Sequence, residues 1–397
     1  MNTKTIKVLK KVISISFIVL FVIFLTIPNT GLPREKENIA IIAKENRQIT
    51  SFPQASTVSK KFYTEFEKWY QDRLRHRDIF ISFWKQTNFN LGVILKDNIF
   101  LGKYGWLFDK YRCIRNFSDA NKKIETIKKL QNYCNNNGID FILMVPPIKE
   151  SIYRDYLPQT LQLKYKNPKY WQNKAEILFS KNKINYLSIT NQLENQRKTE
   201  KHDLYFKDDH HWSYYASATA ADLLMNKIEK DLLIEFYQGL NLDGTTKKAT
   251  KEYSYANQLG IQINRIFMAP WSKKYRNELY VKDSSTGKTR KINTVISNNI
   301  MWGPMVKGEG IVINKNINND IKLLILGDSY SSYMIPYLSQ NINQIVLSNY
   351  NTIAGRKKDV NINKLIKNYK PDVITLIINE GAFFNHSNKE LFGKLKY

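Results

Sequence analysis

The residues of this chain that could do chemistry are few and grouped. Its 397 residues include five histidines, His76, His202, His210, His211 and His386. Two of them stand side by side in Tyr205-Phe206-Lys207-Asp208-Asp209-His210-His211-Trp212. In an extended segment residues two apart face the same side, so Asp209 projects with His211 and Asp208 with His210. A carboxylate beside an imidazole fixes its tautomer and stabilises the imidazolium, which is what the base of a nucleophilic enzyme needs. Two other readings fit the same residues. Asp and His are good ligands for zinc or manganese, and His202 with Asp203 could complete such a site. The segment could also be a polar surface loop.

A nucleophile for that base is found 118 residues after His211 at Ser329. Leu323-Leu324-Ile325-Leu326 is an apolar run of strand length, and Gly327-Asp328-Ser329 follows it as a sharp turn. A serine placed just past a buried strand is presented at a helix N-terminus, where its own N–H can meet a developing oxyanion. The plain alternative is a serine that caps the helix and does no chemistry. If Trp212 packs inward beside a helix starting near Ser213, the chain turns just after His211. That puts His211, rather than His210, nearest the serine, and the expected triad is Ser329, His211 and Asp209.

The elements that must position these residues read as an α/β domain. Ile124, Ile127 and Leu130 recur at helical spacing, Gly138 ends that helix, and Phe141–Val145 is a continuous apolar strand stopped by Pro146-Pro147. A helix is expected from Ser213, its N-cap, through Leu233. Strand 323–326, helix 331–340, strand 345–347, helix 361–369 and strand 373–378 alternate, which implies right-handed crossovers and a parallel sheet. In such sheets ligands bind at the carboxyl ends of the strands, where Ser329 lies. Residues 240–315, rich in Thr, Asn, Gly and Lys, read as loops and small strands inserted on the domain. An amphipathic helix is expected over residues 59–75.

The N-terminus carries Lys4, Lys7, Lys10 and Lys11 ahead of an uncharged apolar run from Val12 to Ile27. With Val8 and Leu9 extending it, the run reads as a transmembrane anchor that holds the N-terminus inside and the remainder outside the cell membrane. Thr26-Ile27-Pro28-Asn29 is a poor cleavage site, so an uncleaved anchor is favoured over a signal peptide. The expected division is an anchor over 1–28, a stalk over 29–58 and one domain over 59–397. The net charge of +26 suits either a solvated Lys-rich surface or affinity for an acidic polymer. No nucleic-acid motif accompanies it. Cys113 and Cys134 are the only cysteines, so zinc-ribbon and thioredoxin patterns are absent, and the spacing does not establish a disulfide between them.

Asp209-His210-His211-Trp212 resembles the Asp-x-His-Trp element of the DHHW and AlgJ/AlgX-like proteins, SGNH-hydrolase-like domains that act in O-acetylation of exported polysaccharides. Gly327-Asp328-Ser329-Tyr330 is similar to that family's nucleophile element. Trp69 to Asp78, Gly105-Trp106-Leu107-Phe108, and Val145-Pro146-Pro147-Ile148-Lys149 through Leu157-Pro158 are also similar to it, and in the same order. The resemblance implies an SGNH-like central parallel sheet flanked by helices. The order would be permuted, since ordinary SGNH hydrolases carry the serine first. It also implies an acyl-enzyme mechanism without a cofactor, with an acidic or neutral exported polysaccharide as acceptor. The acetyl donor would be a multi-spanning membrane acyltransferase. The same triad would serve an esterase that removes acetyl groups, and a non-catalytic polysaccharide-binding or assembly protein is the rival of another class. Tyr330, Asn379 and Lys149 are candidates for oxyanion or substrate contacts. The family's acidic–arginine pair after the last strand is replaced here by Asn379-Glu380-Gly381.

Overall fold

The computed structural model describes residues 14–20, 51–53, 60–71, 83–84, 86–87, 98–114, 120–164, 167–237, 239–240, 245–249, 267–271, 278–283, 289–293, 309–349, 360–384 and 395–396. The chain forms two compact units, Met1–Leu95 with Ala256–Gln262, and Lys96–Tyr255 with Ile263–Tyr397. In the first, helix α1 (Lys60–Gln71) presents Phe62, Phe66, Trp69 and Tyr70 at helical spacing, and these rings contact one another. Of the expected anchor, residues 14–20 are helical and the rest lies outside the described residues. Among the described residues no helix is long and apolar enough to cross a membrane. The Arg77-Asp78 pair and most of the expected stalk also lie outside them.

The second unit is built on an eight-stranded sheet. A short antiparallel hairpin, β1 (Ile99–Leu101) and β2 (Leu107–Asp109), precedes it. Helix α2 (Ala120–Asn136) ends before Gly138, whose φ of 69° turns the chain into β3 (Asp140–Met144). A one-turn helix α3 (Lys149–Ile152), α4 (Pro168–Lys181), β4 (Tyr186–Leu187) and α5 (Thr190–Thr199) follow. Helix α6 (Tyr214–Leu232) begins at Ser213, whose hydroxyl accepts the Tyr215 N–H, and ends at Leu233 in the left-handed region. The C-terminal part runs β10 (Lys322–Gly327), α7 (Ser329–Leu338), β11 (Gln344–Asn349), α8 (Ile362–Tyr369), β13 (Val373–Ile377) and α9 (Glu380–Phe383). Strands β5 (Thr245–Ala249) with β6 (Phe267–Trp271), and β12 (Val360–Asn361), lie outside the main sheet.

Strands β4, β3, β13, β10 and β11 pair in parallel in that order, with Leu323 beside Val373 and Val373 beside Asp140. Their apolar runs are continuous because both faces are covered. Ile142, Leu323, Ile325, Ile345, Leu347 and Ile377 point into one core with α6 and α7. Phe141, Leu143, Leu324, Leu326, Val346 and Ile374 point into the other with α2, α4 and α8. The stretch expected to hold loops and small strands supplies β7 (Glu278–Asp283), β8 (Thr289–Asn293) and β9 (Glu309–Asn314), which extend the same sheet antiparallel beyond β11. Cys113 and Cys134 belong to different cores, and no disulfide joins them. Burial pushes the Cys134 thiol up to about 12.

Leu324 is fully buried at the middle of β10. Leu324→Ala is expected to lower unfolding stability by about 3 kcal/mol, read from urea denaturation midpoints, and a loss under 1 kcal/mol would contradict the two-faced packing of this strand.

Candidate active site

The strand β10 delivers its last residue, Gly327, at the carboxyl edge of the sheet, and α7 starts two residues later. A Cβ on Gly327 would stand 2.4 Å from Ser331 Oγ, so only glycine lets the turn close this tightly. Asp328 is the N-cap of α7. Its Oδ1 accepts the Tyr330 N–H at 2.9 Å, and its Oδ2 accepts both the N–H and the side-chain amide of Asn379, at 2.8 and 2.6 Å. The buried Asp328 carboxylate therefore ties the turn after β10 to the turn after β13. Ser329 is the first helical residue and is half-buried. Its N–H is one of the helix-start donors without an intrahelical partner, and it meets no acceptor among the described residues.

The partner loop, residues 204–213, is a tight hairpin-like turn. Tyr205 and Trp212 form an isolated antiparallel bridge, the Ser213 N–H donates to the Leu204 carbonyl, and the Phe206 N–H donates to the His211 carbonyl. Asp209 and His211 do come together, for a different reason from the expected strand alternation. The chain bends here, and Asp209 Oδ1 accepts the backbone N–H of His211 at 2.8 Å in an Asx-type turn. The same oxygen lies 2.7 Å from His211 Nδ1, and His211 Nε2 lies 2.6 Å from Ser329 Oγ. With the Nδ1 proton given to Asp209, Nε2 is left as the acceptor for the serine proton. His211 and Asp209 are buried, so the imidazole is held away from competing water.

Rings fix the imidazole on several sides. Tyr333 stacks on His211 at 5.3 Å, His210 lies at 3.8 Å, and Tyr330 at 5.5 Å. Trp212 packs inward on Tyr330 and donates its indole N–H to the Tyr330 carbonyl at 3.1 Å. Of the alternative register, His210 is half-buried with its Nδ1 3.3 Å from Asp209, and Asp208 is buried. Asp209, His210 and His211 do place possible ligand atoms within 4.8 Å of one another. The two residues expected to complete a metal site go elsewhere, since His202 stacks on Tyr215 and Asp203 pairs with Lys207.

The three candidates for oxyanion or substrate contacts are each given another partner. The Lys149 ammonium is fully buried and donates to the carbonyls of Phe206, Lys207 and Asp209, at 3.1, 3.2 and 2.6 Å. It also lies over the rings of Trp106 and Phe108. Tyr330 turns its hydroxyl to the His210 carbonyl at 2.6 Å, and burial holds that phenol well above its usual range. Asn379 caps α9 through Oδ1 while its amide serves Asp328. Lys149 and Tyr330 are therefore supports of the 204–213 loop, and Asn379 is a support of the serine turn. Sequence reasoning missed Asp328, although its place directly before a helix start is a usual N-cap signal. Glu380, in the position of the expected acidic residue, accepts the Ile148 N–H and the Ser151 hydroxyl.

The family model for the SGNH hydrolase-like domain of acetyltransferase AlgX matches residues 99–380. No curated protein sequence matches the chain. Among solved structures, PatB1 of Bacillus cereus carrying a sulfonyl adduct superposes with a TM-score of 0.57 at 17% identity, covering 76% of this chain and 100% of that one. A DHHW family protein from Eubacterium siraeum gives 0.55 at 13% identity, covering 74% and 94%. The O-acetyltransferase domain of Pseudomonas putida AlgJ gives 0.43 at 14%, covering 72% and 92%. At these identities the likeness is one of fold.

Removing the Lys149 ammonium takes a charged donor from three carbonyls, of which those of Phe206 and Lys207 keep a backbone N–H. Lys149→Met is expected to lower stability by roughly 2–5 kcal/mol and to loosen the Asp209–His211 loop. Thermal melting should fall, and a variant as stable as the wild type would show that the ammonium carries no such load.

Proposed function

The chain belongs to the family of SGNH hydrolase-like domains of the acetyltransferase AlgX type, and from that premise we propose that it transfers an O-acetyl group to an exported or cell-surface polysaccharide through an acyl-serine on Ser329. The observation that carries this reading is the run of short contacts from Asp209 through His211 to Ser329, with the serine at a helix start.

Ser329 Oγ attacks the acetyl carbonyl of the donor while its proton passes to His211 Nε2. The oxyanion develops against the Ser329 N–H and the positive end of α7. Asp209 stabilises the imidazolium, which returns the proton to the leaving group. A sugar hydroxyl then takes the place of the leaving group: His211 removes its proton, it attacks the acyl-serine, and Ser329 is released with its proton restored. In this scheme the acetyl donor is a multi-spanning membrane acyltransferase, and the chain is held by residues 8–27 with its catalytic domain outside. The polymer is acidic or neutral, and the net charge of +26 favours an acidic one.

The chemical test is incubation of the full chain with an activated acetyl ester, followed by mass spectrometry of the Ser329 peptide. An acetyl adduct on Ser329 is expected in the wild type and none in Ser329→Ala, with turnover reduced by about 10⁴–10⁶. His211→Ala should be equally dead, and His210→Ala far less affected. Asp209→Asn should lose about 10²–10⁴ because the amide can hold the wrong histidine tautomer. Near-wild-type turnover in Ser329→Ala would end this reading, and inhibition by chelators with all of these variants dead would favour a metal centre. For the topology, protease added to intact spheroplasts should digest the domain, and a protected domain would refute the outward placement.

A further inference from the structure

The turn of the β1–β2 hairpin carries a feature that the triad does not use. Tyr104 has φ 57° and ψ 25°, a left-handed conformation that glycine enters freely and a bulky side chain only at a cost. Tyr104 is 74% exposed. Stability alone gives no reason to keep an exposed aromatic there.

The ring is nevertheless held. Tyr156 meets it edge-on at 4.9 Å and in turn contacts Trp106 at 5.5 Å and Tyr153 at 5.4 Å. The guanidinium of Arg197 lies over Tyr153 and Tyr156, at 4.2 and 4.8 Å, and grips both oxygens of Asp155 at 2.7 and 2.9 Å. A Cβ on Gly102 would stand 2.3 Å from the Tyr156 carbonyl, so the hairpin lies directly against this segment. Burial raises the Asp155 carboxyl, but the hydrogen bond and charge of Arg197, with Lys103 adding, outweigh it and hold it below its usual range. An exposed ring is thus backed by Tyr156, whose chain neighbour Asp155 is a fixed, ionised acceptor. The hairpin also abuts the candidate active site, because the Leu107 N–H donates to the Lys207 carbonyl at 2.8 Å.

A pyranose has the same two-sided character. Its C–H face suits the electron-rich face of an aromatic ring, and its hydroxyls suit a polar rim. A ring already held in place loses little freedom on binding. We propose that Tyr104, backed by Tyr156 and rimmed by the Arg197–Asp155 pair, is a stacking subsite for one pyranose unit of the acceptor polysaccharide. The assignment rests on the reading of the chain as a polysaccharide acetyltransferase.

The test is calorimetric titration of the full chain in detergent with neutral chitohexaose and cellohexaose and with acidic hexagalacturonate. Wild type should bind at least one of them. Tyr104→Gly, which suits the left-handed turn and so keeps the fold, should weaken that binding about tenfold, whereas Tyr104→Phe should keep it. No binding by the wild type, or equal binding by Tyr104→Gly, would overturn the subsite. Adduct formation on wild-type Ser329 is scored separately. Tyr104-dependent binding without an adduct sinks the transfer reading and leaves the subsite. An adduct with Tyr104-independent binding does the reverse.

Discussion

A buried ammonium holds the loop of Asp209 and His211 in place. The loop that carries Asp209 and His211 has almost no ladder of its own, only the bridge between Tyr205 and Trp212 and the bonds that flank it. Lys149 Nζ gathers three carbonyls of the loop, beside the Asp209 N–H that also reaches Phe206 and the Leu107 N–H that also reaches Lys207. Tyr330 takes the next one, from the helix that begins with the serine. The nucleophile and its base are thus fastened to each other twice, once through the reacting atoms and once through a phenol behind them. Rigid placement of this kind is what keeps a serine and an imidazole at reacting distance before any substrate arrives.

On the serine side the equivalent role falls to Asp328. It caps α7 and binds Asn379 through the same carboxylate, so the turns after β10 and β13 move as one. Both turns lie at the carboxyl edge of adjacent parallel strands, which explains why the site is where it is: the edge gathers chain turns that are far apart in sequence. The antiparallel extension by β9, β7 and β8 lies on the side of β11 away from β10.

Much of this was legible from residue patterns. Continuous apolar runs such as Leu323–Leu326 and Val373–Ile378 announce strands covered on both faces, and Ser213 and Gly138 mark helix ends as the structure has them. The pairing of Asp209 with His211 was legible too, though by a turn and not by a strand, since an aspartate two residues ahead of an N–H can fold back on it as readily as alternate with it. The work of Lys149 was not legible. Nothing local distinguishes a lysine that reaches three carbonyls sixty residues away from one that faces water. Small strands were legible in residues 278–314, but not the sheet they join: polar alternation suits a sheet edge, and only the partner strand decides which sheet.

Ser329 and His211 meet across 118 residues of chain, while the helix start that presents the serine is local. Loop closure over such a span must precede any contact between them. The hydroxyl of an incompletely folded chain is then an ordinary alcohol, no more reactive than the other serines. If Ser329 is the nucleophile proposed above, chemical competence is a report on completed folding: there is no activity to misdirect until β10, α7 and the loop before α6 have all found one another.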